Sequence, residues 1–218
     1  MELTYYGLSC FRIKSGSACL VTDPFNIRGL GISIPNLEAD MVLYTGDPEK
    51  LGDCSSKLKT SEARAQSGQS YFEVAEPGEY EVGGIFVRVY SDSSVSVITS
   101  ENVNVCYLGM ISGHAPSIDE IEDVGNIDYL IVPVGNGVSF IDWKNLDKVI
   151  KDIDPAVVIP SCYKLDGLKG DFSDLKKAEE FLNEFGFGAV EPEKKLSLVP
   201  VSRNEDYQMK AVVLEKRG

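Results

Sequence analysis

Histidine is nearly absent from this chain: among 218 residues there is one, His114. Imidazole is the commonest nitrogen ligand of zinc and the usual general base near neutral pH, so a site built from several histidines is excluded. Cysteine does not take its place. Cys10, Cys19, Cys54, Cys106 and Cys162 are odd in number, widely spaced and without a C-x-x-C pair. That pattern excludes a finger-type zinc site and points to free thiols in a reducing, cytoplasmic compartment. No apolar run is long enough to cross a bilayer. Met1-Glu2-Leu3-Thr4-Tyr5-Tyr6 begins as an alternating strand, with no basic segment ahead of an apolar one, and does not read as a signal peptide. Basic side chains are outnumbered, 21 against 34 acidic, for a net charge of -13. A phosphate backbone is repelled by that balance unless a local basic patch exists, so nucleic acid is disfavoured as a partner. The short clusters Lys194-Lys195 and Lys216-Arg217 read as solvated loop and terminus.

What is present is an ordinary core-forming composition, 43% hydrophobic and 25% charged, enough for one large domain over 1–218 or two closely packed halves, about 1–100 and 101–218. Strands run to about Val42, and Asp47-Pro48 then starts a short helix, with Asp47 as N-cap and Pro48 at the first helical position. A β-rich stretch follows through 71–74, 84–89 and 95–98. In the second half Ser117-Ile118-Asp119-Glu120 is a capping box, and 129–134 is a buried strand. Asp142 caps a helix with Trp143, Leu146, Val149, Ile150 and Ile153 on one face, stopped by Pro155. A further helix is expected from Asp171 or Ser173 to Gly186, and a last strand from Met209 to Leu214. Periodicity by itself gives mixed α/β.

Five landmarks narrow this. They are Tyr6-Gly7-Leu8-Ser9-Cys10-Phe11, Thr22-Asp23-Pro24-Phe25, the stretch Thr45 to Asp53, Pro77-Gly78-Glu79-Tyr80-Glu81-Val82-Gly83-Gly84, and Val132-Pro133-Val134-Gly135 followed by Ile159-Pro160. Each is weak alone; in this order the chain resembles the metallo-β-lactamase-fold hydrolases, in particular the Zn-dependent hydrolase or UlaG-like branch. The resemblance implies a four-layer αββα sandwich, a zinc cofactor and a cleft at the strand ends.

The departures fall on the ligands. Where the family reads Gly-His-Ser-Cys-Phe, this chain has Leu8. The family's Thr-His-x-His-x-Asp-His becomes Thr45-Gly46-Asp47-Pro48-Glu49-Lys50. Its metal-bridging Asp corresponds to Met110, and its late histidine to Cys162. The resemblance therefore implies a cleft lined by Asp23, Thr45, Asp47, Glu49, Lys50, Glu79, Met110, Cys162 and Tyr163, with no metal ligands and no bound cofactor. Asp23 keeps the family's Asp-Pro pair and is expected to orient the loop around Thr45. Glu79 reads as part of a tight Pro-Gly turn.

Two residues are candidates for chemistry. His114 has a suitable intrinsic pKa for a general base, but reads first as a loop residue bonding backbone before a capped helix. Cys162 would act as nucleophile or redox sensor if Lys50, Lys164 or His114 lowered its pKa; otherwise it fills the volume of a lost imidazole. Three functions follow, in order: a binding or scaffold protein on a hydrolase fold, a variant metal-dependent hydrolase with a rebuilt site, and a Cys162-based enzyme or redox sensor. A small molecule, a protein partner or a second copy of the chain are the partners left open.

Overall fold

A computed structural model of the chain describes residues 1–90, 95–111, 125–136, 139–203 and 207–218. Its first sheet has the order β14-β1-β2-β3-β5-β7 and its second β15-β13-β12-β11-β10-β9-β8. Here β1 is Glu2–Gly7, β2 Cys10–Ser15, β3 Ala18–Thr22, β5 Met41–Leu43, β7 Phe72–Val74 and β14 Leu196–Ser197. In the second sheet β8 is Gly78–Val82, β9 Ile85–Val89, β10 Ser96–Ser100, β11 Val103–Tyr107, β12 Tyr129–Pro133, β13 Val157–Ser161 and β15 Lys210–Ala211. A parallel pair, β4 (Leu37–Ala39) with β6 (Leu58–Thr60), stands apart.

Alternation along the first sheet sorts its side chains into two cores, because successive residues of a strand face opposite ways. Leu3, Tyr5, Leu20, Met41 and Leu43 join the inter-sheet core with Val87, Ile98, Val105 and Tyr107 of the second sheet. Tyr6, Leu8, Cys10, Val21 and Val42 face outward, under Phe25, Leu30, Ile34, Leu51 and Leu58 of the covering segments. The second sheet's β11, β12 and β13 are parallel and, apart from Asn104 and Ser161, largely apolar, and their outer face is covered by the helices Trp143–Ile153 and Ala178–Glu184. This is the four-layer α/β sandwich.

Local chemistry set several boundaries as expected. Asp47 accepts from the Glu49 N–H and opens Pro48–Leu51; Asp142 accepts from the Asn145 N–H and opens Trp143–Ile153; Asp154, left-handed, closes that helix before Pro155. Other boundaries differ. The helix expected from 171–173 begins at Ala178, after a 3-10 turn at Gly170–Phe172. Backbone at Lys176 is already committed, its N–H to Gly135 and its carbonyl to Lys164, so a helix cannot run through it. The last strand shortens to Lys210–Ala211, with Leu214 making only an isolated bridge to Glu193. The Pro77-Gly78-Glu79 turn is instead the entry to β8, because Glu79 pairs in register with Arg88 on β9. The half boundary expected near Ser100 falls inside the β10–β11 hairpin; the change of sheet comes between β7 and β8. His114 and the 117–120 capping box lie outside the described residues.

Candidate functional site

Strand ends from both sheets meet at one place. Leu8, Asp23 and Cys162 each follow the last residue of a strand (β1, β3 and β13), and each is a non-glycine residue in the left-handed region, with φ of 50°, 36° and 47°. Such backbone costs about 1–2 kcal/mol per residue and persists only where neighbours enforce it. The enforcement is visible: the Cys162 N–H donates to the Leu8 carbonyl at 2.8 Å, and the Asp23 N–H to the Leu43 carbonyl at 2.8 Å.

Asp23 is the polar centre of this junction. Its side chain is fully buried and accepts from the Thr45 N–H at 2.7 Å, the Thr45 hydroxyl at 2.5 Å, the Tyr107 hydroxyl at 2.6 Å and, more weakly, the Gly46 N–H at 3.4 Å. Burial raises its pKa above the usual carboxylate range, against the pull of these donors. The role expected for Asp23, holding the loop at Thr45, is what the contacts show. Thr45 Oγ1 in turn accepts from the Met110 N–H at 3.2 Å.

Above this junction opens a cleft of about 600 Å³, lined among others by Thr45, Asp47, Lys50, Met110, Phe140 and Phe172. Four of the expected residues, Thr45, Asp47, Lys50 and Met110, do line it. Asp23 and Cys162 lie beneath, wholly buried. Three expected residues are elsewhere. Glu49 is exposed and is not part of the lining. Glu79 sits on the β8–β9 hairpin, 3.5 Å from Arg88, and borders a separate hollow with Tyr80 and Phe86. Tyr163 turns into the inter-sheet core, where its hydroxyl donates to the Leu214 carbonyl and its ring lies 5.4 Å from Tyr5. β13 explains this split, since consecutive residues at its end face opposite sides.

Ile27, Leu51, Ser139, Phe140, Asp171 and Phe172 also line the cleft and were not anticipated. Phe140 packs on Gly135 of the Val-Pro-Val-Gly landmark, which has φ 61° and where a Cβ would stand 2.5 Å from Phe140 Cβ. The others come from separate segments that only the fold brings together.

Among the described residues, the donors around the cleft do not make a zinc site. Asp47 Oδ1 is occupied by its helix cap, and its Oδ2 lies 3.9 Å from Lys50. Asp23 is enclosed by hydroxyl and amide donors. Cys162 is wholly buried beneath the cleft, and burial pushes its thiol far above its ordinary pKa, with Asp23 adding to the shift. Lys50 is exposed and Lys164 donates to the Ser173 carbonyl, and neither lowers the raised pKa of Cys162. Among the described residues no three of His, Cys, Asp and Glu stand close enough to hold a metal ion.

Residues 2–161 match the family model described as the β-lactamase superfamily domain. The chain belongs to that superfamily. A solved protein of the metallo-β-lactamase superfamily from Thermotoga maritima, assigned as a Zn-dependent hydrolase, is 28% identical, with 98% of each chain covered and a TM-score of 0.73. Igni18, a metallo hydrolase from Ignicoccus hospitalis, is 17% identical over 93% of this chain and 99% of its own, at TM-score 0.57. An isothiocyanate hydrolase from Delia radicum gut bacteria is 12% identical over 99% of this chain and 97% of its own, also at 0.57. The last two share the fold alone. No curated protein sequence matches the chain. Among the described residues no helix is long and apolar enough to cross a membrane.

Proposed function

We propose that this chain is a binding protein on a metallo-β-lactamase fold, taking a small molecule in the cleft without the superfamily's zinc chemistry. The observation that carries the reading is the filling of the ligand positions. Leu8 and Cys162, where the family resemblance implies histidines, are fully buried in one apolar cluster with Phe140. Met110, at the position of the bridging carboxylate, packs its thioether against Gly46, with Sδ 3.2 Å from where a Cβ there would stand. Zinc hydrolysis depends on lowering the pKa of a bound water to about 7, and these side chains offer no anionic or imidazole donor for that step. The cleft volume of about 600 Å³ falls in the range of small-ligand sites, roughly 300–1,000 Å³, and its mix of Met110, Phe140 and Phe172 with Asp47, Lys50 and Asp171 suits a ligand with an apolar body and a polar end. Five free, buried cysteines fit a cytoplasmic setting. Burial of Cys162 favours this reading over thiol chemistry.

Elemental analysis of untagged protein purified without chelator tests it, paired with ester, amide and phosphodiester probes. The expected result is transition metal well below one per chain and no zinc-dependent turnover. Near-stoichiometric metal, with activity lost to chelator and restored by Zn²⁺, overturns the reading and brings His114 into the site.

A further inference from the structure

Away from the cleft, the β14–β1–β2 edge of the first sheet gathers positive charge on a chain of net charge -13. Arg12 pairs across β1–β2 with Thr4, and Lys14 with Glu2, so all four share the outward face. Continuing the antiparallel β1–β14 register by one residue sets Lys195 on the other side of Thr4, and the Lys195 ammonium reaches Glu2 at 2.6 Å. The C-terminal residues lie alongside: the Arg217 N–H donates to the Tyr5 carbonyl, and Lys194, Lys195, Lys216 and Arg217 border a hollow of about 450 Å³ together with Glu215 and Gly218, whose carbonyl accepts from the Lys216 ammonium.

Among the described residues, two donors in this patch have no acceptor. Thr4 is 1% exposed and its hydroxyl is unpartnered; the buried Nε of Arg12, its cross-strand neighbour, is unpartnered too. Buried donors are normally satisfied, and a guanidinium fork beside an ammonium matches the tetrahedral oxygens of a phosphate. Glu2 marks where an oxyanion is drawn. Its carboxyl is held below the usual range first by the Lys195 hydrogen bond, then by the charges of Arg12 and Arg217.

We propose that this edge binds a small phosphate-bearing ligand of the pyrophosphate or nucleoside polyphosphate class, held by Arg12, Lys195 and Arg217 with the Thr4 hydroxyl beneath. The phosphate displaces the Glu2 carboxylate, which moves into solvent. A phosphoryl group carries more charge and more acceptor oxygens than Glu2 supplies, so it satisfies the two orphan donors as well. A compact ligand fits better than a polymer because an extended phosphate backbone would leave the patch and meet the acidic remainder of the surface. The proposal shares no residue with the cleft and stands or falls separately from the reading given for it.

The test is calorimetric titration of the full chain with pyrophosphate and with ATP, without divalent cations and at low ionic strength. Saturable one-to-one binding that weakens as salt rises is expected. Arg217→Ala and Lys195→Ala, both at exposed positions, should each weaken it by about fivefold, the upper range for one exposed charge contact. Glu2→Gln should tighten it, whereas Glu184→Gln, the same charge change on the distant helix Ala178–Glu184, should not. Arg12→Lys keeps the charge, loses the fork, and should also weaken binding. Absence of saturable binding at millimolar ligand overturns the proposal. So does equal tightening by Glu2→Gln and Glu184→Gln, which marks a diffuse charge effect. Binding confined to single-stranded oligonucleotides also overturns it, in favour of a polymer surface.

Discussion

Thr45 is joined to Asp23 twice, its N–H to Oδ1 at 2.7 Å and its hydroxyl to Oδ2 at 2.5 Å. With the Tyr107 hydroxyl on the same carboxylate, these bonds tie the ends of β3, β5 and β11 together across the two sheets. The loop that floors the cleft is therefore set by one buried acid. Thr45→Val leaves that acid one donor short and should destabilise the fold by about 1–3 kcal/mol, measured by urea unfolding.

The same carboxylate gives a pH dependence of defined sign. Burial raises its folded-state pKa above the unfolded value, so the folded chain binds this proton more tightly. The stability contributed is fully present below the unfolded pKa and is lost as pH rises through the folded pKa. Asp23→Asn cannot titrate. Its stability relative to the parent chain should therefore improve between acid and neutral pH; a gap that instead worsens toward neutrality would show that the hydrogen bonds outweigh burial.

Gly109 stands directly against Thr45. It has φ 53°, and a Cβ there would lie 1.9 Å from Thr45 Oγ1. Gly109→Ala combines a disfavoured backbone region with displacement of the Asp23 clamp, so a loss of more than about 2 kcal/mol is expected. Thermal unfolding within a degree of the parent would show that the loop yields freely.

The thiols should be silent. All five cysteines are free and buried, with Cys54 pushed up to about 11 and Cys106 to about 12 by burial. Iodoacetamide at neutral pH should label native protein at fewer than about one site per chain, because the thiolate is the reactive form, and denaturant should release all five. Stoichiometric labelling of Cys162 in the native chain, located by peptide mass spectrometry, would restore the thiol-enzyme reading.

Residues that act on their own backbone were legible in the sequence. Asp47 and Asp142 are caps because a short carboxylate side chain reaches amides two or three residues on, and Pro155 stops a helix wherever the helix lies. The order of landmarks carried the fold. Legibility failed where backbone groups were claimed from far along the chain. Lys176 breaks an amphipathic pattern because Gly135 and Lys164 take its amide and carbonyl. Glu79 is a strand residue because Arg88 stands opposite it, and Tyr163 left the cleft because Tyr5 and Leu214 receive it on the other side.

The sequence by itself determined which chemistry is scarce, since one histidine and no paired cysteines limit metal ligands whatever the fold. It also determined a mixed α/β class, through strand alternation and helix caps that depend only on near neighbours, while the layered sandwich followed from the family resemblance of the ordered landmarks. Tertiary structure alone decided which residues share a surface. Phe140 and Phe172 meet Thr45 at the cleft, and Arg217 docks on Tyr5 next to the Thr4–Arg12 pair at the sheet edge, only after strands distant in sequence have paired. Those contacts are fixed by packing between segments, and no local pattern in a chain encodes which distant segment will arrive.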